Sequence, residues 1–162
     1  MDKSLFLCNN DIAKGEITVS NIDRTLNHVL FLTRRFGGND LESAILAILL
    51  ELGFSTQSDG FHYLRTGIML KYSNPNQRII KTLYPAIGRY YEPGVGANQI
   101  EQAIRSAISA AWEIRDEDTW ECFFPSRGRE TKKPSNGEFI CKIACILELW
   151  HSCCKEVCYA TE

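Results

Sequence analysis

The sequence contains no apolar run long enough to cross a membrane and none of the common catalytic motifs. Its longest apolar run, residues 44–50, covers about two helical turns, whereas a membrane helix needs roughly 18 residues or more. It also lacks a phosphate-binding loop, a nucleophile elbow and paired catalytic carboxylates with a partner histidine. His28, His62 and His151 are scattered along the chain. The sequence therefore predicts a soluble protein that is not an enzyme, with no catalytic residue, no cofactor and no membrane partner.

Paired C-x-x-C motifs are also absent, although the chain holds seven cysteines. The number of cysteines is odd, and the first residues do not resemble a secretion signal. Both observations indicate reduced thiols, so a cytoplasmic location is expected. Cys141 and Cys145 share a helical face, and His151, Cys154 and Cys158 could share another, which would suit zinc or thiol chemistry. Because free cysteines are common as small core residues, no metal site is predicted.

The charged residues are unevenly distributed, although the net charge is only −2. Residues 60–115 and 127–142 carry more basic than acidic side chains, whereas residues 116–126 carry four acidic and no basic ones. The acidic stretch is interpreted as a connector. The two basic blocks permit an electrostatic footprint for phosphates, although DNA-binding modules are usually more basic overall.

Apolar residues recur at helical spacing along most of the chain, and proline and glycine cluster where helices are expected to end. Strands find little support, except near residues 16–19. The expected fold is therefore all-α, a compact domain of six to seven helices. The helices are predicted at residues 21–35, 41–52, 59–72, 75–83, 85–91, 98–112 and from 136 onward. The segments 75–83 and 85–91 could instead form one kinked helix.

Several predicted helices begin with polar residues that suit N-caps. Residues 20–23 and 135–138 resemble capping boxes, and Asp40 can cap the second helix. In the helix predicted from residue 98, we expect the Asn98 side chain to accept a hydrogen bond from a first-turn amide. Glu101 is expected to reach back to the cap amide.

A short helix, a tight turn at residues 92–97 and a longer helix at residues 98–112 together describe a helix-turn-helix. The second helix of such a motif lies in the major groove of DNA. On the longer helix, one face is apolar and is expected to be core. Its members are Ile100, Ala103, Ile104, Ala107, Ile108, Ala111 and Trp112. We expect residues 1–39 to be an N-terminal extension with one helix, residues 40–150 the helix-turn-helix domain and residues 151–162 a C-terminal tail.

The opposite face of the longer helix carries the side chains that could read DNA sequence. Glutamine can pair with adenine and arginine with guanine, and a serine hydroxyl can contact either base more weakly. The base-reading candidates are Gln99, Glu101, Gln102, Arg105 and Ser106. Any solvated helix face carries the same residue types, and Glu101 also suits a cap, so these alternatives stay open.

The sequence resembles the C-terminal DNA-binding effector domain of the sporulation-initiation response regulator, stage 0 sporulation protein A. The resemblance begins near Leu41, fades near Leu149 and keeps the family's order and spacing. The matching segments are Leu52-Gly53-Phe54, Gly60-Phe61-His62-Tyr63-Leu64-Arg65, Lys81-Thr82-Leu83-Tyr84-Pro85-Ala86-Ile87, Glu101-Gln102-Ala103-Ile104-Arg105-Ser106-Ala107-Ile108, Ala111-Trp112 and Lys133-Pro134-Ser135-Asn136-Gly137-Glu138-Phe139-Ile140.

The resemblance implies a six-helix domain that inserts the helix beginning at Asn98 into the major groove and can bind as adjacent copies on DNA. In this helix the chain departs from the family pattern, because Gln99 and Gln102 stand where the family has arginine and Ser106 where it has histidine. The turn before the helix is also about two residues longer than in the family. We therefore expect an altered or relaxed sequence preference. The family's receiver domain is expected to be missing, since only about 40 residues precede the matching region. The helix near residues 21–35 is expected either to pack on the domain or to mediate self-association.

Phosphate contacts are expected from the basic blocks. The candidates are Arg65, Lys81, Arg89, Lys132, Lys133, Ser135 and Asn136. Basic residues, a helix start and the family motif coincide at residues 131–136, which we term the basic segment. Each lysine or arginine taken alone is better explained as a solvated surface charge.

Two functions are consistent with the sequence. The first is a DNA-binding transcription regulator that binds double-stranded DNA, with homodimerisation or pairing with a related regulator left open. The second is a protein-interaction module of the same fold, an antagonist or partner of a full-length regulator without specific DNA binding. The net acidity and the two glutamines favour the second function, whereas Arg105 and the basic segment favour the first.

Overall fold

The computed structural model of the chain describes residues 19–36, 38, 40–91, 94–126, 128 and 131–159. Within these ranges the chain is helical and has no strand, which confirms the predicted all-α fold. No helix in this part of the chain combines the length and the apolar composition of a membrane span. The helices are α1 (Val19–Phe36), α2 (Leu41–Glu51), α3 (Asp59–Ser73), α4 (Tyr84–Tyr91), α5 (Ala97–Glu113), α6 (Glu117–Phe123) and α7 (Asn136–Tyr159), and a π-helical turn (Ile79–Leu83) leads into α4.

Helix α3 lies at the centre of the packing and contacts α2, α4, α5 and α7. Its apolar side chains Phe61, Leu64 and Ile68 are fully buried. Buried apolar side chains from all the helices named above form one continuous cluster. Burial of apolar surface at this scale is the main favourable contribution to folding, so the helices stabilise one another through a shared core.

The predicted starts of three helices, α2, α3 and α7, are confirmed. Capping hydrogen bonds confirm two of them, and the first helical residue confirms the third. Asp40 accepts from the backbone N–H of Ser43 at 2.9 Å and caps α2. At α7 the Ser135 hydroxyl accepts from the Glu138 amide at 3.3 Å, while the Glu138 carboxylate accepts from the Ser135 amide at 2.8 Å. This reciprocal pair is the predicted capping box. Helix α3 begins at residue 59, as predicted.

The segment between α3 and α4 differs from the prediction of two separate helices. Pro75 does not begin a helix, because the Lys71 ammonium donates to the carbonyls of Pro75 at 2.6 Å and Gln77 at 2.8 Å and holds these residues in a loop. Helical structure starts only at Ile79 and continues through the π-helical turn into α4. The alternative of one kinked helix is therefore closer to the structure than the two-helix prediction.

Helix α6 lies inside the stretch predicted to be an acidic connector, and that prediction was wrong. Asp116 caps the helix by accepting from the Thr119 amide at 2.9 Å. Its hydrogen bond from the Thr119 side chain lowers the pKa of Asp116 below the ordinary value. Trp120 and Phe123 are buried, and the indole N–H of Trp120 donates to the Leu52 carbonyl at 3.1 Å. The acidic residues therefore line the outside of a short helix whose aromatic residues belong to the core.

Helix α1 packs on the domain, which is one of the two alternatives expected for it. Val29 and Leu32 are fully buried, and the Thr25 hydroxyl donates to the Cys122 carbonyl of α6 at 2.5 Å. The helix starts at Val19, so the capping box expected at residues 20–23 lies within the helix instead of at its start. Of the possible strand near residues 16–19, residues 16–18 lie outside the described residues, and Val19 is helical.

The last helix continues beyond the expected start of the C-terminal tail. Helix α7 runs without a break through residue 151 to Tyr159, and the Tyr72 hydroxyl of α3 is hydrogen-bonded to His151 Nδ1. The division of the chain into residues 1–39, 40–150 and 151–162 stays a prediction.

Replacing Leu32 by alanine is expected to lower the free energy of unfolding by roughly 2–5 kcal/mol, because the side chain is fully buried and its removal leaves a cavity. Urea unfolding followed by circular dichroism measures this change. The matched control is Phe31→Ala, which removes a larger side chain that is 56% exposed and should change stability by no more than about 0.5 kcal/mol. Equal effects of the two substitutions would show that α1 does not dock on the core in solution.

Candidate nucleic-acid interface

Helices α4 and α5 approach each other closely through the turn that joins them. A Cβ atom at Gly88 of α4 would lie 2.6 Å from the carbonyl oxygen of Val95 in the turn and 3.3 Å from the Ile100 side chain of α5. Gly94 adopts a φ of 110°, a left-handed conformation that favours glycine. Residues 92 and 93 of the predicted turn lie outside the described residues.

The apolar face predicted for α5 is confirmed at five of its seven positions. The buried members are Ile100, Ile104, Ala107, Ile108 and Ala111. Ala103 and Trp112 are only partly buried and lie at the edge of the core. This face therefore fixes which side of α5 is turned away from the protein.

The predicted start of α5 was wrong. The helix begins at Ala97 with Gly96 in the capping position and no side-chain cap, so Asn98 lies inside the first turn and is exposed. Glu101 does not cap the helix. Its carboxylate instead pairs with the Arg105 guanidinium at 2.5 Å, one turn further along.

Four of the five predicted base-reading residues are exposed on the outer face of α5. These are Gln99, Gln102, Arg105 and Ser106. The Arg105 side chain is 55% exposed, whereas that of Glu101 is 30% exposed and lies against its partner. Within the described part of the chain, these four side chains of the polar face of α5 are therefore not covered by other side chains.

The basic segment, residues 131–136, lies alongside α5. Lys133 Nζ donates to the Ser109 hydroxyl at 2.8 Å, and Asn136 Nδ2 donates to the Glu101 backbone carbonyl at 3.0 Å. The two α5 residues are eight positions apart, or about 12 Å along a helix. Lys133 of the basic segment thus lies beside the helix that carries the base-reading candidates.

Most of the residues predicted to contact phosphates are accessible in the structure, but one of them is buried. Lys81, Arg89, Lys132, Lys133 and Ser135 are exposed, and Arg65 is half-buried on α3. Asn136 is only 9% exposed, and its side-chain amide is used within the protein. We therefore withdraw the prediction that the Asn136 side chain contacts a phosphate.

Tyr84 belongs to this site although it is not among the predicted site residues. Tyr84 is the first residue of α4 and is almost fully buried. Its hydroxyl oxygen accepts a hydrogen bond from Asn136 Nδ2 at 3.2 Å. Burial raises the pKa of Tyr84 above its ordinary value, and the nearby Glu101 carboxylate acts in the same direction. No signal in the sequence distinguishes this tyrosine, because its partner lies on another helix.

Within the described part of the chain, no group of three histidine, cysteine or acidic side chains is arranged to hold a metal ion. Of the residues considered for zinc, Cys141 and Cys154 are partly buried, Cys145 is buried and His151 is exposed. The side chain of Cys158 lies outside the described residues.

A family model described as "Sporulation initiation factor Spo0A C terminal" matches residues 45–147, which is more than half of the chain. The matched region runs from α2 into α7 and includes α4, α5 and the basic segment. Helix α1 lies outside it.

Proposed function

The chain belongs to the family of the Spo0A C-terminal effector domain, and from this premise we propose that it is a transcription regulator that inserts α5 into the major groove of double-stranded DNA. Membership of a DNA-binding family supports DNA binding in general. The proposal adds the reading helix, the base-reading residues and the phosphate contacts.

One observation carries the proposal: the polar face of α5 is exposed and a lysine of the basic segment touches the same helix. Gln102, Arg105 and Ser106 are exposed, and Lys133 reaches Ser109 on α5. DNA presents base edges in the groove and phosphates along both of its rims. An exposed polar helix flanked by cations therefore has the arrangement that a major-groove reader requires.

The reading chemistry follows from the side chains on this face. Gln99 and Gln102 can pair with adenine through two hydrogen bonds each, and Arg105 can pair in the same way with guanine. Arg105 must exchange the Glu101 carboxylate for the base, because the two side chains are paired in the free protein. Glu101 would then be free to accept from the amino group of a cytosine.

The phosphate contacts in this proposal come from Lys132, Lys133 and Ser135, with further contacts from Arg65, Lys81 and Arg89. These side chains are wholly or partly accessible. Contacts with phosphates fix the position of a protein on DNA and make its affinity depend steeply on salt.

Selection from a random library of DNA duplexes, repeated across a salt series, tests the proposal. We expect an enriched motif and a steep loss of affinity with salt. Arg105→Ala should weaken binding to the enriched duplex by about 5- to 150-fold, the equivalent of one base contact of roughly 1–3 kcal/mol. Binding to a scrambled duplex should change less.

The matched control for Arg105→Ala is Arg34→Ala, which removes the same charge from an exposed position in the last turn of α1. It should leave the preference for the enriched duplex unchanged. If both variants lose affinity equally on enriched and scrambled duplexes, Arg105 contributes only charge and does not read a base.

The alternative, a protein-interaction module without specific DNA binding, is supported by two observations. The net charge is −2, and α1 exposes Phe31 at 56% and Phe36 at 53%. Exposed aromatic residues of this size are enriched at protein interfaces. A selection that yields no enriched motif and no salt dependence would favour this alternative over DNA binding.

A further inference from the structure

Asn136 is a polar residue buried where three helices meet. It is the first residue of α7, and its side-chain amide donates to the Tyr84 hydroxyl at the start of α4 at 3.2 Å and to the Glu101 carbonyl of α5 at 3.0 Å. Only 9% of its surface is exposed. Because an amide buried without partners costs free energy, the two bonds fix its position strongly.

We infer that Asn136 is a positioning residue that holds the basic segment and the reading face of α5 in a fixed mutual arrangement, and that it does not itself contact DNA. The inference rests on the proposed function and adds to it a residue that acts on sequence discrimination through α5.

The hydrogen bonds that Lys133 and Asn136 of the basic segment donate to α5 differ in rigidity. Lys133 reaches Ser109 through an exposed, flexible side chain that a phosphate can draw away. Asn136 has a short side chain, is enclosed by protein and bonds to backbone at Glu101. The distance between the phosphate-contacting lysines and the base-reading side chains is therefore set at Asn136.

The bond from Asn136 also acts on the residue that orients Arg105. The carbonyl of Glu101 accepts from Asn136, while the carboxylate of the same residue holds the Arg105 guanidinium. The oxygen of the Tyr84 hydroxyl accepts the other Asn136 bond, and burial raises the pKa of this hydroxyl above its ordinary value. Loss of Asn136 would free the first half of α5 to shift relative to the basic segment.

Three measurements on Asn136→Ala test the inference. In the free protein, hydrogen exchange of the α5 amides near Glu101 should become faster. With DNA, the ratio of affinities for the enriched and scrambled duplexes should fall about tenfold, as expected for the loss of a buried hydrogen bond. Affinity for the scrambled duplex should stay nearly unchanged, because no phosphate contact is removed.

Two further variants complete the test. Asn27→Ala makes the same substitution at an exposed position of α1 and should change none of the three measurements. Tyr84→Phe removes only the tyrosine bond and should give a smaller loss of discrimination in the same direction. If Asn136→Ala does not fold, this second variant decides the question.

Each unfavourable outcome has a distinct meaning. A similar loss of affinity on the enriched and the scrambled duplex, with their ratio retained, would make Asn136 a phosphate contact and overturn the inference. Unchanged discrimination and unchanged exchange would also overturn it. If the natural protein enriches no duplex, the proposed function fails together with the DNA-reading role of Asn136, and the exchange measurement still shows whether Asn136 fixes α5.

Discussion

Replacing Gly60 by alanine is expected to lower the free energy of unfolding by about 3 kcal/mol. The added Cβ would lie 2.1 Å from the Ala103 carbonyl oxygen and 2.8 Å from the Ala107 side chain of α5. Because the nearest obstacle is backbone, α3 and α5 must separate, and overpacking of this kind costs roughly 1–3 kcal/mol or more. The higher helix propensity of alanine, worth up to about 1 kcal/mol, is too small to offset this.

Gly67→Ala is the matched control, because it makes the same substitution in the same helix. There the Cβ would lie 3.1 Å from the end of the flexible Ile87 side chain and 3.7 Å from the end of the Ile140 side chain, so the net change should be within about 1 kcal/mol. Urea unfolding of both variants measures the difference. Similar stabilities would mean that α3 and α5 are further apart in solution than the structure shows.

Replacing Lys132 and Lys133 together by glutamine is expected to give a large loss of DNA affinity on every duplex. If each lysine neutralises one phosphate, the slope of log affinity against log salt should fall in magnitude by about 1.8, and binding at 0.1 M salt should weaken on the order of 50-fold. The loss should be nearly equal on enriched and scrambled duplexes, because phosphate contacts carry no sequence information. Fluorescence anisotropy titrations at several salt concentrations measure both quantities.

The control for the lysine pair removes two charges elsewhere, at Arg34 of α1 and Lys155 of α7, both exposed. This double glutamine variant should keep the natural salt slope. An unchanged slope in the Lys132 and Lys133 variant would exclude the basic segment from the DNA interface. In that case Lys81 and Arg89 would be the next residues to test.

Some of these residues are expected to affect the stability of the fold, and others the binding of DNA. Gly60 is expected to act on both, since α5 belongs to the core on one side and to the DNA interface on the other. Arg105, Lys132 and Lys133 are exposed and are expected to act on binding with little effect on folding. Asn136 is expected to act on discrimination through the position of α5.

The sequence by itself determined the helical fold class, most helix bounds and the apolar face of α5. These properties depend on residues a few positions apart, so periodicity and caps such as Asp40 and Ser135 reveal them directly. The exposed side chains of the base-reading set follow from the same periodicity, because they occupy the positions opposite the buried stripe.

Only the tertiary structure decided what depends on residues far apart in the chain. Asn136 is separated by 52 positions from Tyr84, and Thr25 by 97 positions from Cys122, so no local pattern shows that these groups meet. The same is true of α6, whose short acidic sequence forms a helix because Trp120 finds a place in the core. A polar residue such as Asn136 looks like a surface contact in sequence, and becomes a buried link because neighbouring helices enclose it and supply its hydrogen-bond partners.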